Sequence, residues 1–361
     1  MKITLPKWYD LHVHFRQGEM VEEYINAHLA MGCCGALAMP NTKPPVSKIT
    51  GDSAENSWSI EYYQKTLLDK GADKFDALIT PLYLTADTTA DMIAKGAKSG
   101  LLKSCKYYPP HGTTNADFGA ALDTYAKNGV FDAMQEHGII LNIHGEEHGL
   151  SGSHYFDQNT NAEDIFYKTR MVNLVKEFPD LKIVCEHITT KTAADFVSSA
   201  SKNVAATITP QHLLFTVGDL LQGFKYHLYC LPLVKFDADK QALLEAIKNP
   251  QNTKFFAGTD SAPHTDKVTP CGCAAGCFTG YIAPQLYAQA FDLNEDNAEV
   301  FKQFLCINGA QFYGLPVSQK TFTLEKTPTS IENLSTAHGD VCLLSNGLGI
   351  ENLEWSLYTD K

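Results

Sequence analysis

Short apolar segments alternate with longer amphipathic segments along most of this sequence of 361 residues. Eight apolar segments have the length and composition of strands, and they cover residues 9–13, 34–39, 75–80, 101–107, 139–144, 182–187, 204–207 and 255–259. Helix-like segments lie between most of them, for example at residues 21–30, 53–70, 91–99, 130–136, 163–178, 193–199 and 242–247. Because strands that alternate with helices form parallel sheets, we predict an α/β fold. Eight such strands favour a closed (β/α)₈ TIM barrel over an open sheet.

The chain is long enough for two or three domains, but a barrel of this size commonly forms one. We therefore predict a single domain over residues 1–361. Its last part, from about residue 321 to residue 361, is predicted to be a short C-terminal extension of helix and loop with an apolar run at residues 341–344. Residues 210–240 have little periodicity, which predicts a long loop with a turn of helix.

Charge and cysteine usage narrow the class of protein. Acidic side chains outnumber basic ones by 41 to 29, which gives a formal net charge of -12. Such a surface repels phosphate backbones and anionic lipid, so we predict neither a nucleic-acid partner nor a membrane partner. The 10 cysteines are scattered, residues 1–10 contain no apolar signal segment, and no apolar run approaches the roughly 20 residues of a membrane helix. These features predict a reduced, cytoplasmic protein.

Side chains that bind metal ions end several of the predicted strands. His12 and His14 end the first strand, and because residues two apart in a strand point to the same face, both can reach one metal ion. Further candidates end the fourth, fifth, sixth and eighth strands, namely Lys106, His144, His187 and Asp260. The C-terminal strand ends of a barrel meet at one mouth, and imidazole and carboxylate are good zinc ligands. The ordered set therefore predicts a metal site.

Each candidate also has a simpler explanation. A strand histidine is more often a hydrogen-bonded core residue, Asp260 alone can cap the following helix, and Lys106 alone can extend its ammonium group to solvent. The metal site is favoured because all these explanations would have to hold at once. Lys106 can contribute only as an anion, such as the carbamate that a neutral amine forms with carbon dioxide. Lys103 is the competing candidate, but its position three residues earlier places it on the opposite strand face.

Short segments that contain these residues occur in the order that one known family shares. They are DLHVHFR at 10–16, MPNT at 39–42, KYYP at 106–109, TTN at 113–115, HGE at 144–146, EHITT at 186–190, HLYCLP at 227–232 and GTDSAPH at 258–264. The sequence therefore resembles the shorter bacterial type of dihydroorotase in the amidohydrolase superfamily, over nearly the whole chain. The combination is specific, whereas any single segment is not.

The resemblance implies a centre with two zinc ions per subunit, bridged by carboxylated Lys106 and a hydroxide. The side chains that would hold these ions are His12, His14, Lys106, His144, His187 and Asp260. Asp260 would also be the catalytic residue, which moves a proton from the hydroxide to the leaving ring nitrogen. The ligand types also admit cobalt or manganese, so the physiological metal stays open. Glu146 and Glu147 follow His144 after one glycine and are candidates for its hydrogen-bond partner.

The resemblance also implies a pocket for a small substrate that carries a carboxylate. Its contacts would be Arg16, Asn41, His144, Leu231, His264 and Ala274. Arg16, Asn41 and His264 would bind the carboxylate, and a guanidinium suits this role because it pairs with a carboxylate through two hydrogen bonds. The backbone of Leu231 and that of Ala274 would contact the pyrimidine ring.

Two loops next to this pocket carry further expectations. Residues 109–115 are rich in turn formers and follow the fourth strand, and the resemblance implies that Thr113 and Thr114 form a flexible loop over the substrate. The segment CGCAAGC at 271–277 is one residue longer than the family pattern. The ring contact expected at Ala274 therefore has Ala275 as its alternative.

The resemblance implies the reversible cyclisation of N-carbamoyl-L-aspartate to (S)-dihydroorotate and water, a step of pyrimidine (UMP) biosynthesis. It also implies a homodimer, which the sequence itself does not indicate. A hydantoinase is the nearest alternative because its metal ligands can be identical, but it has no need of the carboxylate-binding set Arg16, Asn41 and His264. A mononuclear deaminase of the same superfamily would not need Lys106. A non-catalytic barrel should lack at least one ligand, and all six are present.

Overall fold

The computed structural model describes residues 1–51, 57–112, 115–270 and 272–359. Thr113 and Thr114, which we predict on the flexible loop, lie outside the described residues, as does Cys271. The strands are β1 Lys2–Pro6, β2 Trp8–Val13, β3 Cys33–Ala38, β4 Val46–Lys48, β5 Trp58–Ser59, β6 Ala77–Ile79, β7 Leu82–Tyr83, β8 Ser104–Tyr107, β9 Ile140–His144, β10 Ile183–Glu186, β11 Val204–Ile208, β12 Phe255–Ala257, β13 Val268–Thr269, β14 Gly272–Cys273, β15 Thr321–Glu325, β16 Leu334–Thr336, β17 Gly339–Val341 and β18 Ser356–Thr359.

Helices fill most of the segments between these strands. They are α1 Val21–Ala30, α2 Ile60–Asp69, α3 Ala90–Ser99, α4 Leu122–Lys127, α5 Val130–His137, α6 Ala162–Phe166, α7 Val172–Glu177, α8 Lys191–Ser199, α9 Pro210–Leu214, α10 Val217–Leu221, α11 Asp237–Lys248, α12 Ala283–Phe291, α13 Ala298–Lys302, α14 Asn308–Tyr313 and α15 Leu344–Gly347. A π-helical turn, Tyr167–Met171, joins α6 to α7, and a second one, Gln303–Ile307, joins α13 to α14. No helix in the described ranges has the length and apolar character needed to cross a membrane.

Two parallel sheets form the centre of this mixed α/β fold. One has the strand order β12-β11-β10-β9-β8-β7, and the other has the order β2-β3-β6. The predicted strand at residues 75–80 contains β6, which pairs with β3 in the smaller sheet. The next strand in the chain, β7, pairs with β8 in the larger sheet, so the two sheets approach each other here. On the far side, the Asp260 N–H donates to the His12 carbonyl at 2.8 Å, and Val13 forms a parallel bridge with Ser261. All eight predicted strands overlap an observed parallel strand.

Short polar side chains begin several of the predicted helices. The hydroxyls of Ser59, Thr89 and Thr190 accept hydrogen bonds from the third residue of α2, α3 and α8, respectively. Each bond satisfies a backbone N–H that has no partner within its own helix. Thr190 lies three residues after His187. Its cap therefore sets where the chain leaves the strand end that carries a predicted metal ligand.

The C-terminal extension differs from its predicted structure. Instead of helix and loop alone, it contributes β15 and β18 to an antiparallel sheet of order β1-β15-β18, together with a hairpin of β16 and β17. The reason is a short alternating pattern in which Phe322 and Leu324 are buried while their neighbours are partly exposed. That pattern matches the period of a strand with one face on the core.

Residues 210–240 also contain more helix than predicted. Thr209 caps α9, which begins with Pro210, a residue favoured in the first turn of a helix. Thr216 and Asp219 form a reciprocal capping box at the start of α10. The prediction of a long loop with one turn of helix was therefore wrong for this segment, because its helices are too short to show an apolar period.

Candidate active site

The six predicted metal ligands all lie at the C-terminal ends of the parallel strands. His12 is in β2 and His14 follows it, Lys106 is in β8, and His144 ends β9; His187 follows β10, and Asp260 comes soon after β12. All six residues are buried, with exposed fractions of at most 7% for the whole residue. The competing residue Lys103 is exposed and precedes β8. The structure thus places Lys106, and not Lys103, with the other candidates.

Three of these side chains are close enough to share one metal ion. Ligand atoms of His12, His14 and Asp260 all lie within 4.8 Å of one another. Asp260 Oδ1 is 2.8 Å from His14 Nε2 and 3.4 Å from His12 Nε2. Burial alone would raise the pKa of Asp260, but the hydrogen bond with His14 and the nearby charges of His12 and Lys106 hold it well below its ordinary value. The carboxylate is therefore ionised at neutral pH, as a metal ligand must be.

Two more histidines continue this cluster into the centre of the site. The ring of His187 lies 4.9 Å from that of His12 and 4.7 Å from that of His144, measured between centroids. Burial lowers the pKa of His14 to about 4, and it also lowers the pKa values of His144 and His187. Neutral imidazoles have a free lone pair, so these rings are in the protonation state that binds metal.

Several buried polar atoms of the cluster have no hydrogen-bond partner among the described residues. They are His12 Nε2, His187 Nδ1 and Lys106 Nζ. Buried polar atoms normally have a partner, so unpartnered atoms that line one cluster fit a bound metal ion. Burial lowers the pKa of Lys106 to about 8, against the opposing effect of Glu186 and Asp260. An appreciable share of the amine is therefore neutral near pH 7, which is the form that reacts with carbon dioxide.

Outer hydrogen bonds fix the orientation of the histidine rings. Glu186 Oε2 lies 2.6 Å from His12 Nδ1, so the Nε2 atom of His12 points to Asp260. Asn142 Nδ2 donates to Glu186 Oε1 at 2.5 Å, and Thr207 Oγ1 donates to Glu186 Oε2 at 2.5 Å. Carboxylates that hold metal-binding histidines in this way set the tautomer of the ring.

Of the two glutamates that follow His144, one lies beside it. Glu146 Oε2 is 2.8 Å from His144 Nε2, whereas Glu147 forms an ion pair with Arg170 at 2.8 Å. The prediction of a partner for His144 is thus met by Glu146. Sequence analysis missed Glu186 as the partner of His12, although it lies in the segment EHITT, because their pairing joins residues 174 positions apart.

Three site residues have left-handed backbone conformation, which is uncommon outside glycine. They are Arg16, His187 and Asp260, with φ values of 61°, 39° and 48°. The hydroxyl of Tyr63 donates to the Arg16 carbonyl at 2.8 Å and supports one of these turns. Such strain is maintained at functional sites because it directs side chains where an ordinary strand would not.

The cluster opens into a pocket that contains most of the predicted substrate contacts. Its walls are formed by His12, His14, Arg16, Asn41, Tyr108, His144, His187, Leu231, Asp260, Ala262, Ala275 and Gly276. Arg16 Nη1 is buried and has no hydrogen-bond partner among the described residues. Asn41 Oδ1 lies 2.9 Å from His14 Nδ1, so its amide joins the pocket to the metal cluster.

Two predicted contacts lie outside the pocket wall. Ala274 is absent from the wall, and its backbone N–H donates to the Lys267 carbonyl at 2.7 Å, so the geometry favours Ala275 as the contact. His264 lies at the rim, in a neighbouring cavity that also contains Arg16. The His264 Nε2 atom is 2.9 Å from the Ala275 carbonyl oxygen, and burial lowers the pKa of this histidine to about 3. It is therefore neutral, and its contact with a carboxylate stays a prediction.

Curated relatives match the whole chain. It is 39% identical over 360 residues to a dihydroorotase of Vibrio campbellii, a match that covers 98% of this chain and 99% of the relative. It is also 39% identical over 350 residues to a dihydroorotase of Nitrosococcus oceani, with 95% of each chain covered. The chain belongs to the dihydroorotase family. No model in the scan of protein families matches it.

Solved structures agree with membership in the dihydroorotase family. A dihydroorotase of Saccharomyces cerevisiae in complex with 5-fluoroorotic acid has a TM-score of 0.86 at 29% identity, with 99% of each chain covered. An L-hydantoinase of Arthrobacter aurescens has a TM-score of 0.70 at 16% identity over 92% of this chain and 78% of the other, which shows a shared fold alone. Dihydroorotases are metal-dependent cyclic amidohydrolases, and this protein is therefore an enzyme of that class.

Proposed function

We propose that the protein catalyses the reversible conversion of N-carbamoyl-L-aspartate to (S)-dihydroorotate and water in pyrimidine biosynthesis. The observation that carries this proposal is a single pocket that contains both the buried cluster of His12, His14 and Asp260 and the guanidinium of Arg16, whose Nη1 has no hydrogen-bond partner in the described part of the chain. A cyclic amide that also carries a carboxylate fits both halves of such a pocket.

We further propose that the two parallel sheets close into one (β/α)₈ barrel, within a single domain over residues 1–361. This is supported by the Val13–Ser261 bridge on one side, and by β6 and β7, which follow each other in the chain, on the other. In a closed barrel, the strand ends that carry the candidate ligands surround one mouth.

We propose that the site holds two zinc ions per subunit. His12, His14 and Asp260 would hold one ion, and His144 and His187 would hold the other. Carboxylated Lys106 would connect them, which is supported by its buried Nζ, an atom without a hydrogen-bond partner among the residues described. Bound zinc supplies Lewis acidity, which makes water nucleophilic near neutral pH and polarises a carbonyl group.

The side chains of the pocket position the substrate and move the proton. Arg16 binds the substrate carboxylate, and Asn41, whose Oδ1 lies 2.9 Å from His14 Nδ1, contacts the same carboxylate from the wall of the pocket. Such positioning can supply a large share of the rate enhancement. Asp260 Oδ1 faces the two histidines, so Oδ2 takes the proton from the attacking water and delivers it to the leaving ring nitrogen.

Zinc content and dihydroorotate hydrolysis, measured together, test this proposal on the unmodified chain, on Lys106→Ala and on Lys103→Ala. Lys103 is a matched control because it is an exposed lysine just before the same strand. We expect about two zinc ions and activity in the unmodified chain and the control, and loss of the second ion and of hydrolysis in Lys106→Ala.

Two other results would contradict the proposal in different ways. A folded, zinc-supplemented chain that binds no metal would refute the mechanism. Two zinc ions with hydrolysis of hydantoin but not of dihydroorotate would keep the centre and change the substrate.

We also propose the homodimer implied by family resemblance, which sedimentation of the 39.8 kDa chain can test. A cytoplasmic location is supported by cysteines that are all free in the described part of the chain.

A further inference from the structure

Tyr108 is a buried tyrosine of the pocket whose hydroxyl has no role in the centre described so far. It follows directly after β8, and only 2% of its surface is exposed. Its hydroxyl oxygen has no hydrogen-bond partner among the described residues. A buried hydroxyl without a partner loses its hydrogen bonds to water without compensation, so it indicates a partner that is not part of the protein.

Tyr108 lines the same pocket as Arg16, and its ring contacts Lys106 and Tyr83. It is two residues after Lys106 in the chain, and its ring centroid lies 4.9 Å from Lys106 Nζ. On its other side, the ring packs against Tyr83, with 5.0 Å between centroids. The hydroxyl of Tyr83 donates to the Asn115 carbonyl at 3.4 Å. These contacts fix the ring of Tyr108 and therefore the position of its hydroxyl oxygen.

Two donors of this pocket therefore lack acceptors among the residues that the structure describes, namely the Tyr108 hydroxyl and Arg16 Nη1. The other polar side chains of the wall have partners or belong to the cluster that fits metal ions. A carboxylate has two oxygen atoms with about four acceptor positions, so one such group can satisfy both donors. A buried guanidinium needs an anion, which makes a carboxylate a better match than the neutral carbonyl groups of the ring.

We propose that the Tyr108 hydroxyl donates a hydrogen bond to the substrate carboxylate beside Arg16, and so contributes to substrate binding and orientation. This inference rests on the proposed function, because it requires a substrate with a carboxylate. A different arrangement, in which the hydroxyl binds a carbamate on Lys106, predicts another result, since the hydroxyl would then support metal binding instead of substrate binding.

The variant Tyr108→Phe tests this role because it removes one oxygen atom and keeps the buried ring. Tyr107→Phe is its matched control, since Tyr107 is the adjacent buried tyrosine and packs on the opposite face against Tyr125 and Phe166. The measurements are zinc content, KM and kcat for dihydroorotate, and the Kd of 5-fluoroorotic acid, the ligand in the related yeast structure. The Kd of 5-fluorouracil, which has the same ring without the carboxylate, is measured in parallel.

We expect Tyr108→Phe to weaken 5-fluoroorotic acid binding and to raise KM by about tenfold, the usual effect of one lost hydrogen bond to a charged group. Zinc content and 5-fluorouracil binding should stay unchanged, and Tyr107→Phe should match the unmodified chain. Unchanged Kd and KM values would overturn the inference alone. Loss of zinc in Tyr108→Phe would show that the hydroxyl supports the metal centre. An equal loss of 5-fluorouracil binding would show that it contacts the pyrimidine ring. Either result would overturn the proposed contact with the substrate carboxylate. If the unmodified chain neither binds 5-fluoroorotic acid nor hydrolyses dihydroorotate, the proposed function itself fails.

Discussion

Replacement of Glu186 by glutamine tests how strongly the outer hydrogen bonds control the metal centre. The carboxylate of Glu186 accepts hydrogen bonds from Asn142 and Thr207 and lies 2.6 Å from His12 Nδ1. With Nδ1 held in this way, the lone pair of His12 Nε2 points to Asp260, the residue with which it would hold a metal ion. Glutamine keeps the size of the side chain but removes the charge and one acceptor oxygen.

The magnitude follows from the geometry of this contact. Mutation of such a partner typically lowers metal affinity by about 10- to 100-fold, which corresponds to about 1.4–2.7 kcal/mol. The exposed fractions of the His12 and Glu186 side chains are 1% and 0%, so water cannot replace the lost bond. The amide of glutamine would also face the donors of Asn142 and Thr207 with only one acceptor atom. We therefore expect a loss of zinc affinity near the upper end, about 100-fold.

Competition with a chromophoric chelator measures this affinity without reference to activity. Glu163→Gln is the matched control, because Glu163 is a second buried carboxylate with several donors, supplied by Thr189 and Thr190. Both variants should lose stability, but only Glu186→Gln should lose zinc affinity. Equal zinc affinity in the unmodified chain and in Glu186→Gln, with both folded, would refute the reasoning.

Other changes test separate parts of the molecule. Arg16→Lys should raise KM for dihydroorotate by about tenfold, because lysine cannot make two parallel bonds to a carboxylate; an unchanged KM would contradict this contact. Burial lowers the pKa of His212 to about 4 from its ordinary 6.5, so folding favours the neutral ring, and stability is lost as pH falls through this range. Between pH 7.5 and 5, the free energy of unfolding measured in urea should fall by about 2 kcal/mol more in the unmodified chain than in His212→Asn. Parallel curves of this free energy against pH would refute the prediction. Phe322→Ala should lower the free energy of unfolding by about 3–5 kcal/mol with zinc content unchanged, because Phe322 is buried against Gly32; a loss below about 1 kcal/mol would show that the extension is dispensable.

The parallel strands, and the gathering of the candidate metal ligands at their ends, could be predicted because their signals are local. A buried strand is a short apolar run, and a ligand is a single residue of distinctive chemistry at its end. His12 and His14 are an example, since their spacing alone places them on one face. The topology of the fold then brings the remaining ligands to the same place, so the order of strand ends was sufficient.

The features that were missed depend on contacts between distant residues. The pairing of Lys2 with Glu325 joins the two ends of the chain, and no local pattern indicates that β1 and β15 are neighbours. The contact of Glu186 with His12 also joins residues far apart in the chain, so no local pattern indicates it. For Ala274 and Ala275, sequence analysis left two alternatives, because one added residue in a loop changes which backbone group faces the pocket.

The left-handed backbone at the site was neither predicted from a local signal nor missed only because of a distant contact. A non-glycine residue in this conformation costs on the order of 1–3 kcal/mol, so Arg16, His187 and Asp260 each oppose folding locally. The cost is offset by bonds that exist only in the assembled site, such as those of Tyr63 with the Arg16 carbonyl and of His14 with Asp260. Local propensity therefore predicts against these turns, while the chemistry requires them, because a regular strand would carry adjacent side chains to opposite faces. Disagreement between local preference and observed backbone is thus itself evidence that these positions are under functional constraint.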